Sequence, residues 1–360
     1  MENRKFVKFL ILNLFMAMIS LPFFCLAYDD KTTHPALTDE AVDLFNYYYQ
    51  DYKLTDQEKE IIKKGSRDED NAPRWVNHFY DPVYNQGWLG NLTSKQWAQS
   101  VPAQSGVYQT TSSGLSFNYF DSVSDYSWER AVFEYADRDK TRGLLALGHV
   151  LHLIQDMAVP DNTRNDVHPP ILNMGSPYEG WASRFTDENF QLAEQLIINK
   201  EKQIIFNSLD EYFDSLAKYS NNNFFSKDTI FDEDYKLPIS DGEKQISNIF
   251  FIYKKISDQE EILLARKYKI YNPVSLKYLN SYTVKDEYDA VVTSYWGFLS
   301  KQAVLNSAGV IKLFFEEVEK ERQTLALKQK DSTFFEKLFG SIFGSISRSL
   351  KNIFDLTFQG

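Results

Sequence analysis

Cysteine is nearly missing from this chain. Its 360 residues contain one, Cys25, inside an apolar stretch near the start. If that stretch is removed, no thiol remains. Disulfides, a cysteine nucleophile and thiolate metal ligands are then excluded, and stability rests on the core or on bound metal. Histidine is also scarce: there are five, at 34, 78, 149, 152 and 168, and none follows. Positive charge is in deficit, with 39 Lys and Arg against 50 Asp and Glu and a net charge of −11. Such a balance steers poorly toward nucleic acid and attracts cations. No G-x-S-x-G elbow and no glycine-rich phosphate loop is present, which argues against those serine hydrolases and nucleotide-binding folds. No internal repeat or long low-complexity tract points to a solenoid.

The N-terminus has the three parts of a secretory signal. Arg4, Lys5 and Lys8 precede the uncharged run "FLILNLFMAMISLPFFCLA" at 9–27. Cys25 and Ala27 are small residues placed for cleavage before Tyr28. A retained membrane anchor is the alternative, because the run approaches spanning length. The bulky "PFF" before Cys25 disfavours a lipoprotein. Residues 1–27 carry three basic groups and one acid, so the remainder carries −13. The expectation is export, ending outside the cell or in a periplasm or cell envelope.

Helical periodicity dominates the rest. Segments 37–49, with Thr38 as N-cap, and 56–65, with Gly65 as C-cap, read as helices. Stretches 127–139 and 141–159 follow, then 182–220, broken once. Residues 221–280 are mixed, and 246–256 reads as a strand or a hairpin. The longest helical pattern is 285–325, as one helix or two. Beyond it, Phe335, Leu338, Phe339, Ile342, Ile346, Leu350 and Ile353 recur at helical spacing. This tail, 326–360, either packs on the domain or lies on a bilayer. Aromatics make up 16% of the chain. They fill helix contacts or, in the loops at 78–126, line a rim that meets lipid or a choline-like headgroup.

One stretch concentrates chemistry. "LGHVLHLIQDMAVP" at 147–160 places His149, His152 and Asp156 on one helix face. His152 and Asp156 stand four residues apart, so an imidazole and a carboxylate can converge on one cation, as zinc accepts. His149, one turn before His152, reads as a partly exposed polar-face histidine, with a place in the cleft or behind the ligands as the alternative. Asp161, Arg164 and Asp166 either orient ligands or serve as loop caps and ion pairs. Further donors stand in "HPALTDEAV" (34–42), "GSRDED" (65–70), "NHFYDP" (77–82) and "SPYEGWASRF" (176–185).

"NHFYDP", then "LGHVLHLIQDMAVP", then "YEGW" together resemble the zinc-dependent phospholipase C family, whose fold is shared by single-strand-specific zinc nucleases. The likeness spans roughly residues 28–190. It implies an all-α fold: a multi-helix bundle over 28–325 with loop-rich insertions and a C-terminal helical extension. It implies two or three Zn2+ ions. Tyr28, through its amine and carbonyl, would join His34 and Asp156 at one zinc. Asp156 would bridge to a second, held by Asp70, His78 and His152, with Asp68 as the alternative acid. Departures stand at the third position, where Asn162 and Gly175 replace expected histidines. Glu179 is retained there, and His168 is a substitute ligand.

The implied activity is hydrolysis of the phosphodiester of phospholipids by metal-activated water, with Asp70 orienting or deprotonating that water. The implied partners are a phospholipid substrate and a membrane surface, reached through aromatic loops or the C-terminal tail; nucleic acid is not expected. A single-strand nuclease of the same fold is one alternative. A non-catalytic binding protein on a decayed scaffold is the other, and a fragment of 221–360 is expected not to fold alone.

Overall fold

The computed structural model describes residues 31–71, 73–106, 123–167 and 175–357, with backbone alone from 331 onward. The expected leader at 1–27, Tyr28, the aromatic segment 107–122 and His168 lie outside the described residues.

The first helix, α1 (Thr33–Tyr48), buries Leu37, Ala41, Val42, Leu44 and Phe45. It starts earlier than Thr38, which is therefore not its cap. Thr38 is buried and donates a hydrogen bond to Ser66 Oγ at 3.0 Å. α2 (Asp56–Asp68) opens on a capping box between Thr55 and Glu58. It runs past Gly65, so this glycine is not a C-cap. A Cβ at Gly65 would lie 2.0 Å from the Leu145 carbonyl oxygen, and one at Gly148 2.0 Å from that of Ile62. Two facing glycines thus let α2 approach the helix that carries the histidines.

Two short helices, α3 (Ser94–Gln99) and α4 (Val101–Gly106), precede α5 (Trp128–Asp137), capped by Ser127. α6 (Lys140–Asp156) is capped by Asp139, which accepts from the amides of Thr141 and Arg142. Every residue of α6 from Ala146 onward is buried, so it is a central helix with no solvated face. Pro160 ends the run and starts α7 (Pro160–Thr163). The stretch expected as a once-broken helix over 182–220 divides further. It contains the end of α8 (Pro177–Ala182), then α9 (Leu192–Ile198) and most of α10 (Leu209–Asn223).

A β-sheet corrects the all-α expectation. Strands β1 (Gly242–Ile246), β2 (Ile249–Lys255), β3 (Glu261–Asn272) and β4 (Lys277–Thr283) form a four-stranded antiparallel meander. The fold is mixed α and β. The segment 246–256 belongs to the β1–β2 hairpin, turning at Ser247 with φ 53°. Phe251 and Ile252 of β2 and Ile262, Leu264 and Ala265 of β3 are buried. A last helix, α11 (Ala290–Thr357), covers the sheet, with Tyr295 donating to the Leu264 carbonyl at 2.7 Å. α11 also packs on α1, α5 and α6 and runs unbroken through the boundary expected near 325.

Candidate metal centre

The site forms where α6 faces α1, α2 and the turn after α2. On α6, His152 and Asp156 are one turn apart and fully buried. The close glycine crossing brings the Ser66 carbonyl to 2.6 Å from His152 Nδ1. That carbonyl can only accept, so Nδ1 carries the proton and the Nε2 lone pair points inward. His34 of α1 is oriented the same way. Its Nδ1 lies 2.8 Å from Gln155 Oε1, and Gln155 in turn donates to Thr38 at 2.9 Å. The rings of His34 and His152 stack with centroids 3.6 Å apart. His78 follows the single-turn helix Arg74–Asn77 as its C-cap and edges onto the His152 ring, with centroids 4.7 Å apart.

The donors converge on Asp156. His78 Nδ1 lies 3.1 Å from its Oδ2, His152 Nε2 3.5 Å, and His34 Nε2 lies 3.5 Å from its Oδ1. Asp70 Oδ1 is 3.3 Å from His78 Nδ1 and 3.6 Å from His152 Nε2. Two overlapping groups result, His34–Asp70–His152 and His78–His152–Asp156, each with donor atoms close enough to share an ion. These buried groups can hold a metal ion.

Two further observations test the fit. Neither carboxylate oxygen of Asp156 has a hydrogen-bond partner among the described residues, although both are buried. A bare buried carboxylate is costly unless a cation or proton meets it. Burial pushes its carboxyl well above the usual range, and the charge of Glu69 adds to this. Burial likewise holds His152 well below its usual value and His78 down to about 3. Neutral imidazoles facing carboxylates at 3–4 Å, with lone pairs inward, are the donor state metal binding requires.

Sequence reasoning passes over an outer layer. Glu69, between the two candidate aspartates, is fully buried. It accepts from Arg74 Nε at 2.7 Å and Trp97 Nε1 at 2.8 Å, and meets His149 Nδ1 at 2.5 Å. Its other approach is to His78 Nε2, 3.8 Å away. Burial opposes its charge, but Arg74 and His149 hold its carboxyl down, to about 2. His149 is therefore not a partly exposed histidine. It is buried, stacked on Tyr126 at 4.0 Å. Its spacing one turn before His152 is the signal the sequence offers. Arg74 continues outward to the Ser124 carbonyl and to Gln104.

Other expected donors lie elsewhere. Asp68 is at the surface, paired with Lys64, so the acid at this turn facing the histidines is Asp70. Asn162 is buried, and its amide nitrogen, like both Asp156 oxygens, has no hydrogen-bond partner among the described residues. Glu179, half-buried on α8, belongs to neither donor group. Gly175 has φ +74°, a left-handed conformation that would strain a histidine there. Asp161 accepts from Ser176, Asp166 from the Asp228 amide, and Arg164 donates to the Asn221 carbonyl at 2.6 Å; these three tie the α7 loop to its neighbours. Tyr28 and His168 lie outside the described residues.

No protein-family model matches the chain, and no curated protein matches it.

Proposed function

We propose that this protein is an exported, zinc-dependent phosphodiesterase of the phospholipase C type. The observation that carries the reading is the convergence of His34, Asp70, His78, His152 and Asp156 in one buried cluster. Three imidazole nitrogens with two carboxylates suit zinc better than magnesium or calcium, which prefer all-oxygen sites. When bound, zinc supplies Lewis acidity toward a phosphoryl group and toward water.

The chain's own residues do the rest. Asp156, within reach of His34, His78 and His152, would hold the metal together with them. Asp70 sits at the edge of the cluster, positioned to accept a proton from water. Ser66 and Gln155 fix the tautomers of His152 and His34, so the donors are set before substrate arrives. Glu69, held by Arg74, Trp97 and His149, puts a fixed carboxylate 3.8 Å from the far nitrogen of His78. Phospholipid as substrate, and the leaving of diacylglycerol from a phosphorylated headgroup, rest on the resemblance of the three motifs. The leader at 1–27 supports export.

The test joins composition to activity. Elemental mass spectrometry of the chain starting at Tyr28 should find zinc, and His152→Ala should lower it. Phosphatidylcholine vesicles should release phosphorylated headgroup. Cleavage of single-stranded DNA without lipid hydrolysis would replace the substrate assignment, and a folded, metal-free protein would sink the enzyme reading.

A further inference from the structure

The sheet ends in a feature that the candidate site does not use. β3 outlasts β2: its pairing with β2 stops at Lys267, while its pairing with β4 continues to Asn272. The distal hairpin therefore projects as a two-stranded ribbon. Such a ribbon is marginal in water by itself, and a soluble tip would be polar. This tip is not. Val274 is 93% exposed, Leu276 73% and Tyr278 70%, with Ile270, Tyr271 and Leu279 about half exposed. Tyr271 and Tyr278 pair across the strands with rings 5.4 Å apart. At the base, Phe231 sits on Tyr282 at 4.8 Å and is itself half exposed.

The charge around this tip is opposite to that of the whole chain. Between Ile262 and Lys285 stand Arg266, Lys267, Lys269, Lys277 and Lys285, with no Asp or Glu, in a protein of net charge −11. Arg266 and Lys267 are met by Glu287 and Glu243. Lys269, Lys277 and Lys285 form no ion pair among the described residues. An apolar tip, a tyrosine pair behind it and lysines around it match the layers of a lipid interface: acyl chains, the aromatic belt and anionic headgroups.

We infer that the β3–β4 hairpin docks the protein on an anionic lipid surface, with Val274 and Leu276 entering the acyl boundary and Lys269 and Lys277 meeting headgroup phosphates. A protein partner fits less well, because the apolar residues crown a protruding turn rather than line a groove. The inference goes beyond the proposed phosphodiesterase activity and stands without it.

The test is flotation of the full mature chain with vesicles. Non-hydrolysable phosphonate analogues of phosphatidylcholine and phosphatidylglycerol keep binding separate from cleavage. Binding is expected to need the anionic lipid and to weaken with salt. Val274→Ser with Leu276→Ser should lower it by about tenfold or more, and Lys269→Gln with Lys277→Gln should remove its salt dependence. All four positions are exposed, so circular dichroism should match the parent. Hydrolysis of a water-soluble phosphorylcholine ester should be unchanged in both variants. Absence of that hydrolysis in the parent, with vesicle binding intact, would overturn the phosphodiesterase reading and leave the hairpin assignment standing. Vesicle binding equal in parent and variants would overturn the hairpin assignment. So would self-association that the serine variant abolishes in the absence of any vesicle binding.

Discussion

Gln155 shows how much of the site is held by residues that do not face its centre. Its carbonyl oxygen fixes the His34 tautomer, and its amide anchors on Thr38. Gln155→Leu keeps the shape but frees the ring, and should weaken zinc binding by about 10- to 100-fold, read by competition with a chromophoric chelator. Arg74→Ala would strand the buried Glu69 carboxylate. The expected cost is about 3–5 kcal/mol in urea unfolding. Glu40 offers a pH test away from the cluster. It is buried on α1, accepts from the Ala193 amide, and burial raises its carboxyl from 4.5 to about 7. The folded chain thus holds this proton where the unfolded chain has lost it. Glu40 therefore makes stability fall as pH rises from about 4.5 to about 7, with no further change above. Urea midpoints at pH 5 and pH 8 should differ less in Glu40→Gln than in the parent.

The pair α2 and α6 decides whether the site exists. Ser66, Glu69 and Asp70 reach the histidines of α6 only because Gly65 and Gly148 let the backbones touch. Gly148→Ala drives a methyl against the Ile62 carbonyl, where backbone rather than a pliable side chain must move. The expected loss is about 1–3 kcal/mol or more. Metal content should fall with it, measured on the fraction that remains folded. Gly180→Ala, at a position where a Cβ meets nothing within 4 Å, is the matched control and should change neither.

At the scale of the whole molecule, a cation bound at the proposed site would couple to folding. Two aspartates meet three histidines in the interior, and no lysine or arginine reaches them among the described ion pairs. Metal bound to the folded state alone, at a free concentration a hundredfold above its dissociation constant, adds about 2.7 kcal/mol. Chelation should therefore lower the melting temperature, and zinc should restore it. An unchanged melting curve after complete removal would mean the cluster is held by protons instead.

Local pattern and chemistry are legible without coordinates because they depend on neighbours in the chain. The i, i+4 pair His152 and Asp156 and the halt at Pro160 both act within a few residues. Thr38 and Gly65 mislead for the complementary reason: each looks like a helix end locally, and each is held inside a helix by a distant partner. The sequence offers a strand or hairpin at 246–256, where β1 and β2 meet, but not the four-stranded sheet, because the pairing of β2 with β3 and of β3 with β4 is decided by packing. The contact of Glu69 with His149 is hidden from the sequence, since burial and a hydrogen bond across 80 residues are properties of packing. The donor types are written in the sequence. Which donors share one space, which acid turns outward to Lys64, and where an apolar hairpin leaves the body are decided by tertiary structure, because each depends on contacts between residues far apart in the chain.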